Sequence, residues 1–297
     1  MKIAITGAAG LLGEKLVKCC LKEDIEVYPI DLSPAPLPSL DGKVKFLRLD
    51  ITNAESTTSM IKELKPDAVI NAAAMTNVDQ CEVEKEAAWK VNVEGPKSIA
   101  QACLKVGALV VHISTSYVFD GAKGLYKEED KTNPINYYGL TKLKGEEYIR
   151  NIAPSWCIAR TDVIFGWGRM DRPNFAIWVI NNLEKKEKMK LIDDQYNSPT
   201  LNTNLAEMLV EAAKRNLTGI FNLSGATRIN RFDFARAICK SFQLDEKLIS
   251  PIKSDQLNWK AKRPEDASLN VEKAKKTLTH KPLAMDVALK VLREERE

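Results

Sequence analysis

Histidine is nearly missing from this chain: there are two, His112 and His280, in 297 residues. That scarcity argues against a Ser-His-Asp hydrolase and against a histidine-based metal site. His112 lies inside the apolar run LVVHIS, where a hydrogen-bonded core histidine is expected rather than a catalyst. Cysteine is present but unpatterned. Cys19, Cys20, Cys81, Cys103, Cys157 and Cys239 form no C-x-x-C and no ligand-like spacing, and several sit in apolar helix or strand patterns. This usage points to a reduced, cytoplasmic context. No apolar run reaches membrane-spanning length, so no membrane partner is expected. Met1 leads straight into KIAIT, and no signal peptide is expected. Charge of one sign is lacking too: 44 basic against 40 acidic residues leave a net +4, too balanced for a nucleic-acid partner. What remains is 44% apolar, enough for a real core in one large domain or two modest ones.

The N-terminus is the first informative stretch. KIAIT (2–6) reads as a buried strand, GAAGLLG (7–13) as a glycine loop and GEKLVKCCLKE as a helix. Strand, glycine loop, helix is the context of a dinucleotide fingerprint, here with G-x-x-G-x-x-G spacing at Gly7, Gly10 and Gly13. Glycines permit a tight turn and close approach to a pyrophosphate, and the helix N-terminus supplies N–H donors. A second strand, EVYPID, ends at Asp31. An acid there accepts hydrogen bonds from the adenosine ribose hydroxyls and repels a 2′-phosphate, which favours NAD(H) over NADP(H). Asp31 could equally cap the proline-rich loop SPAPLPSLDG that follows.

Strand and helix patterns then alternate. VKFLRLD ends at Asp50-Ile51, and Thr52 is placed to cap a helix to Leu64, with Glu55 at its third position. DAVINAAA (67–74) is a buried strand whose Ala72, Ala73 and Ala74 let a flat cofactor lie close. A helical pattern runs from about Glu84 to Val106 with Pro96 inside it, so a kink or break is expected there, and Asn92 is a candidate buried polar residue. ALVVHISTSYVFDG is a fifth strand with its exit loop, and strand alternation puts Ser114 and Ser116 on one face and Thr115 on the other. Further strands and helices follow, ending in a helix from Asp286. The alternation predicts an α/β fold: a Rossmann-type doubly wound parallel sheet with a smaller C-terminal substrate-binding lobe. The expected division is 1–166 plus about 198–225 for the nucleotide-binding part, and about 167–197 plus 226–297 for the lobe.

Tyr138 and Lys142 stand four residues apart in NPINYYGLTKLKGE (133–146) and share one face of the helix expected over Tyr138 to Arg150. An ammonium beside a phenol favours phenolate, so the tyrosine pKa is expected to fall, and the lysine retains donors for a ribose.

Taken together, GAAGLLG (7–13), NAAAMTNVD (71–79), STSYVFDG (114–121), YYGLTKLKGE (137–146), RTDVIFG (160–166), DDQYNSPT (193–200) and RPEDASL (263–269) resemble an extended short-chain dehydrogenase/reductase, within it the dTDP-4-dehydrorhamnose reductase family. The resemblance covers nearly the whole chain. It implies NAD(P)H-dependent reduction of the C4 ketone of a nucleotide-linked 4-keto-6-deoxysugar, such as dTDP-4-dehydrorhamnose to dTDP-L-rhamnose, in dTDP-rhamnose biosynthesis. By position, Gly10, Leu11 and Leu12 would contact the pyrophosphate, Asp31, Asp50 and Ile51 would surround the adenosine, and Ala72 to Ala74 would line the cofactor. Thr115 would orient the ketone, Tyr138 would protonate the new alkoxide, and Lys142 would hold the nicotinamide ribose. Ser116, Val163 and Asn174 would stand with Thr115 on the sugar.

Two departures concern the sugar. The family usually has an acid where Ser116 stands, and RTSWV where this chain has Asp162 and Val163 in RTDVI. Some members hold a divalent metal at a dimer interface with carboxylates matching Glu14, Asp193 and Asp194. Read as bare sequence these are solvated or capping acids, so no metal, Mg2+ included, is assigned, and a homodimer is left open. The alternatives are an NAD-retaining nucleotide-sugar epimerase and a non-enzymatic subunit similar to the regulatory subunit of methionine adenosyltransferase.

Overall fold

The computed structural model describes residues 1–33, 42, 44–168 and 173–296. The chain begins with β1 (Lys2–Thr6), α1 (Leu11–Lys22), β2 (Glu26–Asp31), β3 (Leu47–Arg48), α2 (Ala54–Leu64) and β4 (Ala68–Asn71). Then come α3 (Val78–Val83), α4 (Lys85–Trp89), α5 (Gly95–Val106), β5 (Leu109–Thr115), α6 (Tyr137–Ile152) and β6 (Ser155–Thr161). The remaining elements are β7 (Ile164–Phe165), α7 (Phe175–Glu184), β8 (Met189–Ile192), β9 (Tyr196–Asn197), β10 (Thr200–Leu201), α8 (Asn202–Lys214), β11 (Gly219–Asn222), β12 (Ile229–Asn230), α9 (Arg231–Phe242), β13 (Ile249–Ile252), α10 (Glu272–Thr277) and α11 (Met285–Glu294).

Seven strands form one parallel sheet in the order β11-β6-β5-β4-β1-β2-β3. The central strands are buried on both faces, which is why they read as continuous apolar runs. On one face α1 and α8 pack over Ile3, Ile5, Val111 and Ala159. On the other, α2 and α5 cover Ala4, Val69, Val110 and Ile158. In α1 the buried Leu12, Leu16, Val17 and Cys20 recur at helical spacing and face the sheet. A separate apolar cluster joins Phe165, α7, β8, α9 and α11 around Phe234, Ile180 and Leu289.

The helix expected at Thr52 is capped one residue later. Asn53 accepts from the Ser56 amide at 2.9 Å, while Thr52 donates its own amide and hydroxyl to Asp50. An Asx side chain with free reach displaces a threonine already engaged upstream. The 84–106 helix is interrupted by a π-helical turn over Lys90–Glu94, and Pro96 sits in the first turn of α5. Proline cannot donate to the Asn92 carbonyl, and the widened turn resolves that. Asn92 is fully buried: its Oδ1 accepts the Met75 amide at 2.9 Å, and its Nδ2 donates to the Met75 carbonyl and Thr141 Oγ1. His112 is also fully buried, with Nδ1 3.0 Å from Asn71 Nδ2, and burial together with the Lys142 charge holds it neutral far below its usual pKa. All six cysteines are free, and among the described residues no helix is long and apolar enough to cross a membrane.

Candidate active site

Strand order reverses between β1 and β4, and a cleft of about 1030 Å³ opens there at the C-terminal ends of the strands. Gly7, Gly10, Leu11, Leu12 and Gly13 line one end, with Asp31, Asp50 and Ile51 beside them. Ala72, Ala73 and Ala74 line the middle, and Thr115, Tyr138 and Lys142 the far end. Every residue that the sequence reading placed on the cofactor therefore borders this one cleft.

Two positions of the glycine loop, Gly7 and Gly13, leave no room for a side chain. A Cβ on Gly13 would lie 2.1 Å from the Gly7 carbonyl oxygen and 2.5 Å from Ala8 Cα. Gly7 has φ +71° and lies against the Ala72–Ala73 backbone. Gly10 begins α1 without any side-chain cap, so the first amides of the helix have no side-chain acceptor there and its dipole faces the cleft. That is the donor set a dinucleotide diphosphate takes. Asp31 accepts the Ala9 amide through Oδ2 at 3.0 Å and the Ser33 amide through Oδ1 at 3.1 Å. It thus steadies the glycine loop and starts the proline-rich segment, most of which lies outside the described residues. A carboxylate has about four acceptor positions, and these two amides take half of them.

At the far end, Asn136 caps α6 by accepting the Gly139 amide at 2.8 Å, which starts the helix so that Tyr138 falls in its first turn. Tyr138 stands edge-on to Tyr117, ring centroids 6.0 Å apart. Thr115 ends β5, and its hydroxyl accepts the Tyr117 amide at 3.2 Å. Lys142 is 2% exposed, and its Nζ donates to the Ile113 carbonyl at 2.7 Å. The electrostatics correct the sequence expectation. Tyr138 is raised above the ordinary phenol range, because burial outweighs the opposing hydrogen-bonding interaction with Thr115. Burial likewise pushes Lys142 down to about 8, against the pull of Glu146. For each group desolvation of the charged form is the largest cause, and neither is among the other's perturbers. Tyr138 is accordingly a protonated phenol, suited to giving a proton.

The helix carrying these residues is locked from behind. Glu146 receives Arg160 through two hydrogen bonds, at 3.0 and 2.7 Å, and also accepts Ser114 Oγ at 2.5 Å. The pair is nearly solvent-free at 3% and 1% exposure, and Arg160 spans from β6 to α6. A bidentate fork fixes the rotation of α6 better than a single contact does.

The remaining wall holds Asp162, Val163 and Arg231. Burial raises the Asp162 carboxyl to about 6, opposed by the Ser198 amide, Ser116, Arg231 and Asn197. Arg231 is the first residue of α9, with its guanidinium 4.8 Å from the Phe175 ring centroid. Neither Asp162 nor Arg231 was assigned a role from sequence. Asp162 was visible as a departure from RTSWV, whereas Arg231 belongs to no motif. Two expected sugar residues lie off the cleft lining. Ser116 is buried in the turn after β5, and Asn174 serves as the cap of α7, with its amide bonded to Gly166. Glu14 pairs with Lys18, Asp193 with Lys253, and Asp194 accepts from Ser254. Among the described residues no cluster of three or more His, Cys, Asp or Glu is placed to hold a metal ion.

Comparison with known proteins agrees with this architecture. The chain is 31% identical over 306 aligned residues to a dTDP-4-dehydrorhamnose reductase of Aggregatibacter actinomycetemcomitans, covering 98% of each. It superposes on the crystal structure of a dTDP-4-dehydrorhamnose reductase ortholog from Clostridium acetobutylicum with a TM-score of 0.88 and 34% identity, covering 100% of this chain and 99% of that one. The reductase of Bacillus anthracis in complex with NADP gives a TM-score of 0.88 at 28% identity, covering 99% of both. The family model described as RmlD substrate binding domain matches residues 1–296. A match of that extent, together with the whole-length relatives, places this chain in the dTDP-4-dehydrorhamnose reductase family.

Proposed function

We propose that this chain is an NAD(P)H-dependent reductase of a nucleotide-linked 4-keto-6-deoxysugar, converting dTDP-4-dehydrorhamnose to dTDP-L-rhamnose. The observation that carries the reading is the convergence of Thr115, Tyr138 and Lys142 at one end of the cleft whose other end is the glycine loop. A bound reduced nicotinamide supplies the hydride. The chain's own residues do the rest. The amides at the start of α1 hold a diphosphate, and Asp31 and Asp50 stand at the adenosine end. Lys142, anchored on the Ile113 carbonyl, presents its remaining donors to a ribose. Thr115 and Tyr138 hold the ketone oxygen. Tyr138 then gives its phenolic proton to the alkoxide as charge develops there. Residues 1–166 plus about 198–225 hold the cofactor, and about 167–197 plus 226–297 hold the sugar nucleotide. Asp31 favours NADH over NADPH.

The test is sugar-dependent loss of the reduced-nicotinamide absorbance with dTDP-4-dehydrorhamnose. Tyr138→Phe removes the proton donor and should lower kcat by about 10²–10⁴-fold, with cofactor affinity nearly unchanged. Unchanged kcat in that variant refutes the mechanism. An epimerase would retain NAD and show no net oxidation, and a regulatory subunit would show no turnover at all.

A further inference from the structure

The wall that holds Asp162 contains a carboxylate to which the mechanism above gives no task. Asp162 follows β6, whose last residue, Thr161, pairs in register with Thr115 on β5. It is 4% exposed yet borders the cleft. Its backbone is pinned: the Asp162 carbonyl accepts Thr200 Oγ1 at 2.7 Å, and the Val163 carbonyl accepts the Thr200 amide at 3.1 Å. Val163 has φ +35°, a conformation that a β-branched residue rarely adopts. Strain of that kind persists where the surroundings over-determine it, and it gathers at corners that grip ligands.

The carboxylate itself keeps acceptor capacity beyond its partners in the fold, which include the nearby Ser116 hydroxyl, a group with no other acceptor. Oδ2 accepts the Ser198 amide at 2.8 Å, while Oδ1 has a long 3.4 Å contact from Asn197 Nδ2. About four acceptor positions are available on a carboxylate. The groups facing it are Ser116 and Tyr117 after β5, Tyr138 of α6 and Arg231 of α9, besides Asn197 and Ser198. Arg231 favours the ionised form. A buried acid with spare acceptor positions is costly unless a donor reaches it, and Asp162 borders the cleft.

We propose that Asp162 is a sugar-recognition residue, accepting a hydrogen bond at Oδ1 from a hydroxyl of the bound hexose. The identity of the sugar rests on the reductase reading; the carboxylate's role as a hydroxyl acceptor does not.

The experiment measures calorimetric binding of dTDP-L-rhamnose and of dTDP alone to the full chain with saturating NAD+. The wild type should bind the sugar nucleotide more tightly than dTDP. Asp162→Asn should lose about tenfold or more of that increment, with dTDP and NAD+ affinities unchanged. In the wild type the increment should shrink as pH falls below about 6, and in Asp162→Asn it should be flat with pH. An unchanged increment in the variant overturns the proposal, as does its absence from the wild type. Equal weakening toward both ligands also overturns it, since Asp162 then only holds the Asn197–Ser198 turn. Turnover judges the reductase reading separately: no oxidation of NADH by wild type, with the increment still lost in Asp162→Asn, sinks that reading and leaves Asp162 a sugar ligand.

Discussion

Replacing Lys142 by methionine is expected to stabilise the apoprotein at neutral pH while removing turnover. The side chain is 2% exposed, and burial depresses its pKa from 10.5 to about 8. The unfolded chain keeps the ordinary value. Between pH 8 and 10.5 the unfolded state therefore holds a proton that the folded state lacks, and stability rises with pH across that window. Below pH 8 both states are protonated, and the folded state bears the full cost of a buried ammonium. At about 1.4 kcal/mol per pH unit, that cost approaches about 3 kcal/mol at pH 7. Methionine is of similar length and carries no charge. It forfeits the hydrogen bond to the Ile113 carbonyl, about 1 kcal/mol. The net expectation is a gain of about 2 kcal/mol at pH 7, a few degrees in Tm. At pH 10 the folded-state lysine is neutral and the two proteins should be nearly level. Urea unfolding of both apoproteins at the two pH values, with matching m-values, makes the comparison. A variant less stable than wild type at pH 7, or a difference that ignores pH, refutes the claim that desolvation governs this lysine.

The other expectations concern the frame around the site. Glu211 accepts the Thr279 and His280 amides, Arg215 and the His280 ring. Burial alone would raise its pKa, but these donors bring it down to about 2. Its contribution is thus complete above pH 4.5 and lost as pH falls toward 2, so Glu211→Gln should cost about 2–3 kcal/mol at pH 7 in urea melts and nearly nothing at pH 2. Gly13→Ala sets a Cβ 2.1 Å from the Gly7 carbonyl oxygen, and NADH affinity measured by fluorescence should fall about tenfold or more; unchanged affinity would remove the glycine loop from the cofactor site. Asp31→Ala should narrow the ratio of NADPH to NADH dissociation constants, and identical values for both cofactors before and after would take Asp31 off the ribose.

The sequence by itself determined the architecture and one side of the cleft. Apolar strands alternating with amphipathic helices admit few arrangements, because parallel strands need crossovers and the crossovers are right-handed. Gly7, Gly10 and Gly13 are legible because local backbone geometry requires them, and Tyr138 and Lys142 because helix periodicity alone brings them together. Tertiary structure decided what depends on burial and on distant segments. The lysine's charge was expected to lower the Tyr138 pKa, yet burial of Tyr138 raises it, and no spacing rule registers burial. Asn92 found its work only once the π-helical turn brought it to Met75 and Thr141. Asn174 went to a helix cap and Ser116 beneath the wall. Arg231, 93 residues beyond Tyr138 in the sequence, reached the same cleft because α9 begins there. Local pattern fixes which face a residue takes on its own element; only packing fixes which elements meet, and with them the dielectric and the partners that set each group's chemistry.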